Sequence, residues 1–392
     1  MRISIILTGL ILVLVACAPK KTILPFHYER NLYLQCTINE QVKGSFMFDT
    51  GAYGLYLDSL YNQNSGLHLQ QALGTVTIAG LTPIHFPDPP KVSFACGDIQ
   101  TEFSKIYILQ TKASFGKICD GIVGWDLFTD KVLHVDYLAK ELTVQEASDF
   151  MPDNGFTAIP LKLRDHRFYL PLKVALSESC MVQGDFVLDL GYGGSVYLTG
   201  DTYRHCRLDT LSRKKLGFTM DWATLAKQHT VAYVSRCNSI QIGPYALLNP
   251  SYECALDTSG VVGGGDSVGL LGNRALERFD VYIDLAKHVL YLKPNIDYKK
   301  EMLIRTMGFG FSDRTDICEG LVVRALDVEG EAIRQGLRPG DIVTHINNKA
   351  INTDTENQIK QLYAQTGQSH LIKFRRRDSV FTLKLDMKLW KD

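Results

Sequence analysis

The chain has 392 residues, 45% of them hydrophobic, and its 42 Lys and Arg balance its 42 Asp and Glu. That length and apolar content suffice for two or three globular domains with ordinary cores. A balanced charge gives no long-range field toward nucleic acid or anionic lipid, which argues against both as partners.

At the N-terminus, Arg2 precedes a mostly apolar run from Ile3 to Val15. The run is too short to span a bilayer and reads as an export signal. Its end, Leu14-Val-Ala-Cys17, resembles the lipobox of bacterial lipoproteins, which implies that residues 1–17 are the signal and that Cys17 is lipidated. Ala18 after that cysteine is similar to lipoproteins sent to the outer membrane. No second apolar stretch approaches spanning length, so a lipid is the only membrane attachment expected. Setting Cys17 aside leaves Cys36, Cys96, Cys119, Cys180, Cys206, Cys237, Cys254 and Cys318. An oxidising compartment permits disulfides among them, but eight cysteines allow 105 full pairings and no connectivity is predicted. Neither Cys-x-x-Cys nor grouped histidines occur, so no metal or cofactor is expected, and several of these cysteines are expected to be buried thiols.

From residue 22 to 145, short apolar or alternating runs broken by Gly, Pro and Asn predict an all-β lobe. Within it, Phe46-Met-Phe-Asp-Thr-Gly-Ala52 is an apolar strand that ends in an acid, with a glycine two residues on that lets the chain turn. Alone, such a segment is an ordinary turn at a strand end. The polar stretch Glu146 to Gly155 links this lobe to a second, residues 156–294, where the pattern returns as Phe186-Val-Leu-Asp-Leu-Gly-Tyr192. The copies agree further. Asp120-Gly-Ile-Val-Gly-Trp-Asp-Leu-Phe128 answers Gly269-Leu-Leu-Gly-Asn-Arg-Ala-Leu276, and Gly124 stands as far before Asp136 as Gly272 before Asp284. The closing strands, Val135-Asp-Tyr-Leu-Ala-Lys and Ile283-Asp-Leu-Ala-Lys, also match. The second copy carries a less regular insertion between Thr199 and Leu225, whose Arg213-Lys-Lys215 cluster reads as a solvated face. Gly263-Gly-Gly265 lacks the Lys-Ser/Thr of a phosphate cradle and is expected to be a mobile loop near the cleft.

The order of these motifs across residues 24 to 294 resembles the aspartic peptidases, with Asp-Thr-Gly-Ala as in the retropepsin-like branch and two lobes in one chain as in pepsin. The resemblance implies that Asp49 and Asp189 form a catalytic dyad, with Thr50 bonding across to the other loop, Gly51 and Gly191 permitting the turns, and Gly124 and Gly272 supporting them. It also implies monomeric action, and it makes Thr75-Val-Thr-Ile-Ala-Gly80 a candidate flap hairpin. Two carboxylates this close cannot both ionise easily, so one stays protonated while the other activates water. The family's second Thr is Leu190 here. A Thr restored at 190 is therefore expected to return a hydroxyl grip and to stabilise or activate the site, and Leu190 is the sole sequence support for the alternative of an inactive two-lobed peptide-binding scaffold. Ala52 and Tyr192 stand where pepsin-like sites place a Ser or Thr that bonds the carboxylate, which predicts a less acidic pH optimum than pepsin's. A serine or metallo-hydrolase is not the expected reading, and the His-Glu-x-x-His of zinc peptidases is absent.

After a charged linker, Asn295 to Glu301, residues 303–388 differ in kind. Gly308-Phe-Gly-Phe311, Gly320-Leu-Val-Val-Arg-Ala-Leu326 and Gly336-Leu-Arg-Pro-Gly-Asp-Ile342 resemble a PDZ domain of the bacterial periplasmic type. Asn352 to Thr366 would be its longer helix, and Ser369 to Leu385 its closing strands. The resemblance implies that Phe309, Gly310 and Phe311 form the loop that holds a partner's terminal carboxylate. The expected fold is mainly β, a two-lobed aspartic-peptidase β-barrel architecture with a C-terminal PDZ domain. The expected function is a lipid-anchored endopeptidase acting on peptide or protein substrates.

Overall fold

A computed structural model describes residues 21–69, 91–104, 106–211, 216–221, 229–256, 262–352 and 355–390. The signal segment with Cys17, the candidate flap hairpin 75–80 and the cluster Arg213-Lys-Lys215 lie outside the described residues.

The chain is mainly β, and among the described residues its strands form two large open sheets and one small one rather than a closed barrel. The repeat read from the sequence is also a repeat in space. In the first copy, strand Val42–Asp49 runs parallel to Gly121–Gly124, which lies antiparallel to Leu55–Asp58. In the second, Met181–Leu188 runs parallel to Gly269–Leu271, which lies antiparallel to Val196–Leu198. Both copies then enter a one-and-a-half-turn helix through a side-chain cap. Asp58 accepts from the N–H groups of Leu60 and Tyr61, and Thr199 accepts from that of Thr202. Such caps satisfy backbone donors that the first helical turn leaves open.

The two closing strands predicted to match pair with each other. Lys131–Asp136 and Phe279–Asp284 are antiparallel neighbours, with Val135 opposite Val281 and Leu133 opposite Ile283. Glu141–Glu146, Lys21–Glu29, Val289–Pro294 and Thr157–Pro160 extend this sheet on either side, so its strands come from both lobes. One apolar core accordingly runs through both lobes, from Leu24 to Met302, with Phe46, Phe48, Phe186 and Phe279 wholly buried. Cys36 and Cys96 form a disulfide between strands Asn31–Ile38 and Val92–Cys96, closing a loop of 60 residues. A closure of that length stabilises by about 4 kcal/mol on chain-entropy grounds.

A second core, from Met307 to Met387, belongs to the C-terminal domain alone. Its Pro-Gly-Asp turn is fixed by Asp341, which is 2% exposed and takes two 2.7 Å bonds from the Arg376 guanidinium, one each from Nε and from an Nη. The helix is Thr355–Ala364, and the closing strands are Ser369–Arg376 and Ser379–Asp386.

The linker and the insertion are more ordered than their composition suggests. Tyr298, in the linker, packs on Tyr245 and Phe279. From the irregular insertion comes a strand, Leu216–Asp221, that pairs antiparallel with Leu321–Asp327 and so joins the second lobe to the sheet of the C-terminal domain. The Gly263-Gly-Gly265 segment is tied to the helix Gly200–His205: the Asp201 N–H donates to Gly263 O at 2.9 Å, and a Cβ at Gly264 would fall 1.8 Å from Asp201 Oδ2.

Candidate active site

Each strand of the repeat delivers its acid to the same place. Asp49 pairs in register with Gly124, and the Asp189 N–H donates to Leu271 O at 2.9 Å. Each acid's carbonyl then accepts from the residue three ahead, Ala52 at 3.3 Å and Tyr192 at 3.2 Å, which closes a tight turn. The turns face one another. A Cβ built on Gly191 would lie 2.3 Å from Asp49 Cγ, and one on Gly51 would lie 3.0 Å from Asp189 Cγ. Neither glycine has a left-handed φ. The expectation that they serve the turn is thereby corrected: they are small because the opposite carboxyl needs the space. The same holds for the supporting pair. A Cβ at Gly124 would meet Asp126 Oδ1 at 2.6 Å, and one at Gly272 would meet Tyr192 O at 2.3 Å.

The two carboxyls lie close enough to interact directly, and both are only partly exposed. Their surroundings separate them electrically. Burial pushes the Asp49 carboxyl above its ordinary range, while the Gly51 N–H, donating to Oδ1 at 2.7 Å, and the Arg167 charge pull it back. Asp189 is pushed well above its range, by burial first and then by the negative charge of Asp49. The two therefore titrate as a pair that keeps one shared proton above the ordinary carboxylate range. Asp189 Oδ1 is buried without a hydrogen-bond partner among the described residues.

Thr50 is wholly buried and does what the resemblance implies, donating to Leu188 O at 2.7 Å and accepting from the Leu190 N–H at 3.0 Å. The second loop is held by two residues that the sequence reading missed. Asn31 Nδ2 donates to Gly191 O at 2.7 Å and to Leu190 O at 3.3 Å. Asn273 Nδ2 donates to Leu190 O at 2.6 Å, while its Oδ1 accepts from the Tyr137 hydroxyl at 2.8 Å. The signal available was a mismatch in the repeat, since Asn273 follows Gly272 where Trp125 follows Gly124.

Leu190 is 0% exposed and belongs to the core shared by both lobes. This reverses the expectation for Leu190→Thr. The substitution removes packed apolar volume and buries a hydroxyl beside a carbonyl already bonded to two amides, so it should destabilise by about 1–3 kcal/mol without raising activity. Urea unfolding at fixed pH measures this, and a variant as stable as the parent would show that a polar partner awaits the hydroxyl.

Phe309, Gly310 and Phe311 do not approach the dyad through any described contact. They open the strand Phe309–Asp313, which pairs with Leu321–Asp327. Phe309 is buried, and its ring centroid is 5.9 Å from that of Phe311. The far end of the strand is taken by the first lobe: the Lys117 N–H donates to Asp313 O at 2.7 Å, and Ser312 Oγ donates to Ala113 O at 2.9 Å.

No curated protein matches the chain. Residues 306–387 match the family model of the PDZ domain, and this part of the chain, with the strand Phe309–Asp313, the Asp341 turn and the helix Thr355–Ala364, is a PDZ domain.

Proposed function

We propose that the chain is an aspartic endopeptidase whose PDZ domain recruits substrate or partner C-termini. The observation that carries this reading is the pair of acids, Asp49 and Asp189, on facing loops of an internal repeat. In the reaction, ionised Asp49 takes a proton from a water held between the carboxyls. The resulting hydroxide attacks the peptide carbonyl carbon, and Asp189 gives its proton to the carbonyl oxygen. Return of a proton to the nitrogen breaks the C–N bond and leaves a free carboxyl and a free amine. No acyl-enzyme forms.

A peptide added to the free edge of Phe309–Asp313, with its carboxylate at the Phe309 end, runs toward Lys117 and the first lobe. Only about three or four C-terminal residues fit before that contact, a length typical of strand addition in this domain family. Export and lipid anchoring through Cys17, in an outer membrane, belong to the same proposal, and the Cys36–Cys96 disulfide supports an oxidising compartment. Asn31 and Asn273 hold the loop at which Leu190 lacks a hydroxyl, which favours the active reading over an inactive scaffold.

The test is cleavage of a diverse peptide library by the full chain over a pH series. Because both carboxyls are raised, kcat/KM should follow a bell whose two limbs, belonging to the pair, lie above the ordinary carboxylate range. Specific activity should not change on dilution, since one chain supplies both loops. A strongly acidic optimum, or a square-law loss on dilution, would count against the assignment.

A further inference from the structure

The repeat makes one difference between the lobes easy to find. Asn31 stands two residues before Tyr33, which pairs with Met47; Arg167 stands two residues before Tyr169, which pairs with Val187. Met47 and Val187 each lie two residues before a dyad acid, so Asn31 and Arg167 are counterparts. Asn31 spends its amide on the loop of Asp189. Arg167 sits by the loop of Asp49: its neighbour His166 stacks on Tyr53 with centroids 4.0 Å apart and takes the Trp125 Nε1–H through its carbonyl at 2.9 Å. The guanidinium also acts electrostatically on Asp49 and on Tyr56. Yet Arg167 has no ion pair and no side-chain hydrogen bond among the described residues, and it is half-buried.

Two further cations lie on the other side of the dyad. Arg30 lies against the Asp189 loop, where a Cβ on Gly193 would fall 2.8 Å from its Cβ. It faces Glu253, on strand Ser251–Ala255, together with Arg274, which donates to Leu303 O. The Arg167 guanidinium is thus a partly desolvated cation beside the Asp49 loop that makes no side-chain hydrogen bond among the described residues. Such a group presents five N–H donors in a planar fork that fits a carboxylate, and it costs more to leave unpaired than a solvated one.

We propose that Arg167 is a specificity residue that selects peptides with a carboxylate, an Asp or Glu side chain, within a residue or two of the scissile bond on the Asp49 side. This rests on the endopeptidase reading, and the test keeps the two apart. Matched peptides carrying Glu, Gln or Lys in turn at each flanking position are presented to the full chain and to Arg167→Gln and Arg167→Glu. For each variant the readout is the ratio of kcat/KM for Glu over Gln, which cancels any general loss of activity. The wild type should prefer Glu by tenfold or more at one position. The ratio should fall to about one in Arg167→Gln, and Lys should become preferred in Arg167→Glu. In parallel, calorimetry measures the binding of a Glu peptide and its Gln counterpart, each with a reduced amide in place of the scissile bond. A wild type that cleaves without an acidic preference, or whose preference survives both substitutions, overturns the inference and leaves the peptidase intact. A chain that cleaves nothing but binds the Glu peptide more tightly, with that margin lost in Arg167→Gln, keeps the inference and overturns the hydrolytic reading. A chain that neither cleaves nor discriminates overturns both.

Discussion

Asp49→Asn and Asp189→Asn should each lower peptide cleavage at least about 10³-fold while leaving a folded chain, because each removes one half of a proton transfer that no neighbour can replace. Their effects on stability should differ from those of ordinary core substitutions. Asp189 is held protonated in the native state, by burial and by the charge of Asp49, to a pH well above the ordinary range. In the unfolded chain its carboxyl ionises at about pH 3.9. Between those two values the native state binds the extra proton, so stability falls as pH rises through the window. Asn has no proton to keep. Asp189→Asn should therefore be more stable than the wild type at neutral pH, with the gap closing as pH drops toward about 4. Asp49→Asn should act in the same direction but less, since its carboxyl is raised less strongly and is drawn back by the Gly51 N–H and Arg167. Melting curves taken across pH decide this. An Asp189→Asn variant that is less stable than the parent throughout would mean that the carboxyl is not held protonated by its surroundings.

The outline of this site was legible because a repeat is a long-range statement written in one dimension. Two acids in equivalent copies must face each other if the copies pack as a pair, and the second signatures fix which strands lie beside them. What was not legible depends on register across the fold. Asn31 reaches Gly191 O from 160 residues away, and nothing around Asn31 in the chain announces that partner. Cys36 and Cys96 were two of eight candidates until strand pairing set Thr37 opposite Ala95. The insertion that reads as irregular yields Leu216–Asp221 because its backbone groups are met by His229–Arg236 on one side and by an edge of the PDZ sheet on the other, tertiary partners that override weak local pattern. The C-terminal domain was read closely because its turn chemistry, Gly336-Leu-Arg-Pro-Gly-Asp-Ile342, is local. Arg167 was passed over for the opposite reason: only its place beside Tyr53 and Asp49, not its identity, marks it.

The glycines of the two loops give the second large effect, and one that separates a spatial role from a turn role. If Gly51 and Gly191 were needed for backbone freedom, alanine at either would strain the turn alike. Both lie outside the left-handed region, so alanine can adopt either backbone and the chain should fold. What differs is the space. A methyl at 191 would come within 2.3 Å of Asp49 Cγ and 2.4 Å of Oδ2, inside any real contact, whereas a methyl at 51 would meet Asp189 Cγ at 3.0 Å and Oδ2 at 3.1 Å. Gly191→Ala must therefore drive the carboxyls apart or tilt Asp49 away from its Gly51 donor, and displacements of that order cost about 10²-fold or more in rate. Gly51→Ala asks for a shift of only a few tenths of an ångström and should cost about tenfold. The comparison is made on kcat at saturating peptide, with circular dichroism to confirm that both variants fold. Equal losses, or a larger loss at 51, would mean that the loops do not face each other as closely as the pair of carboxyls requires.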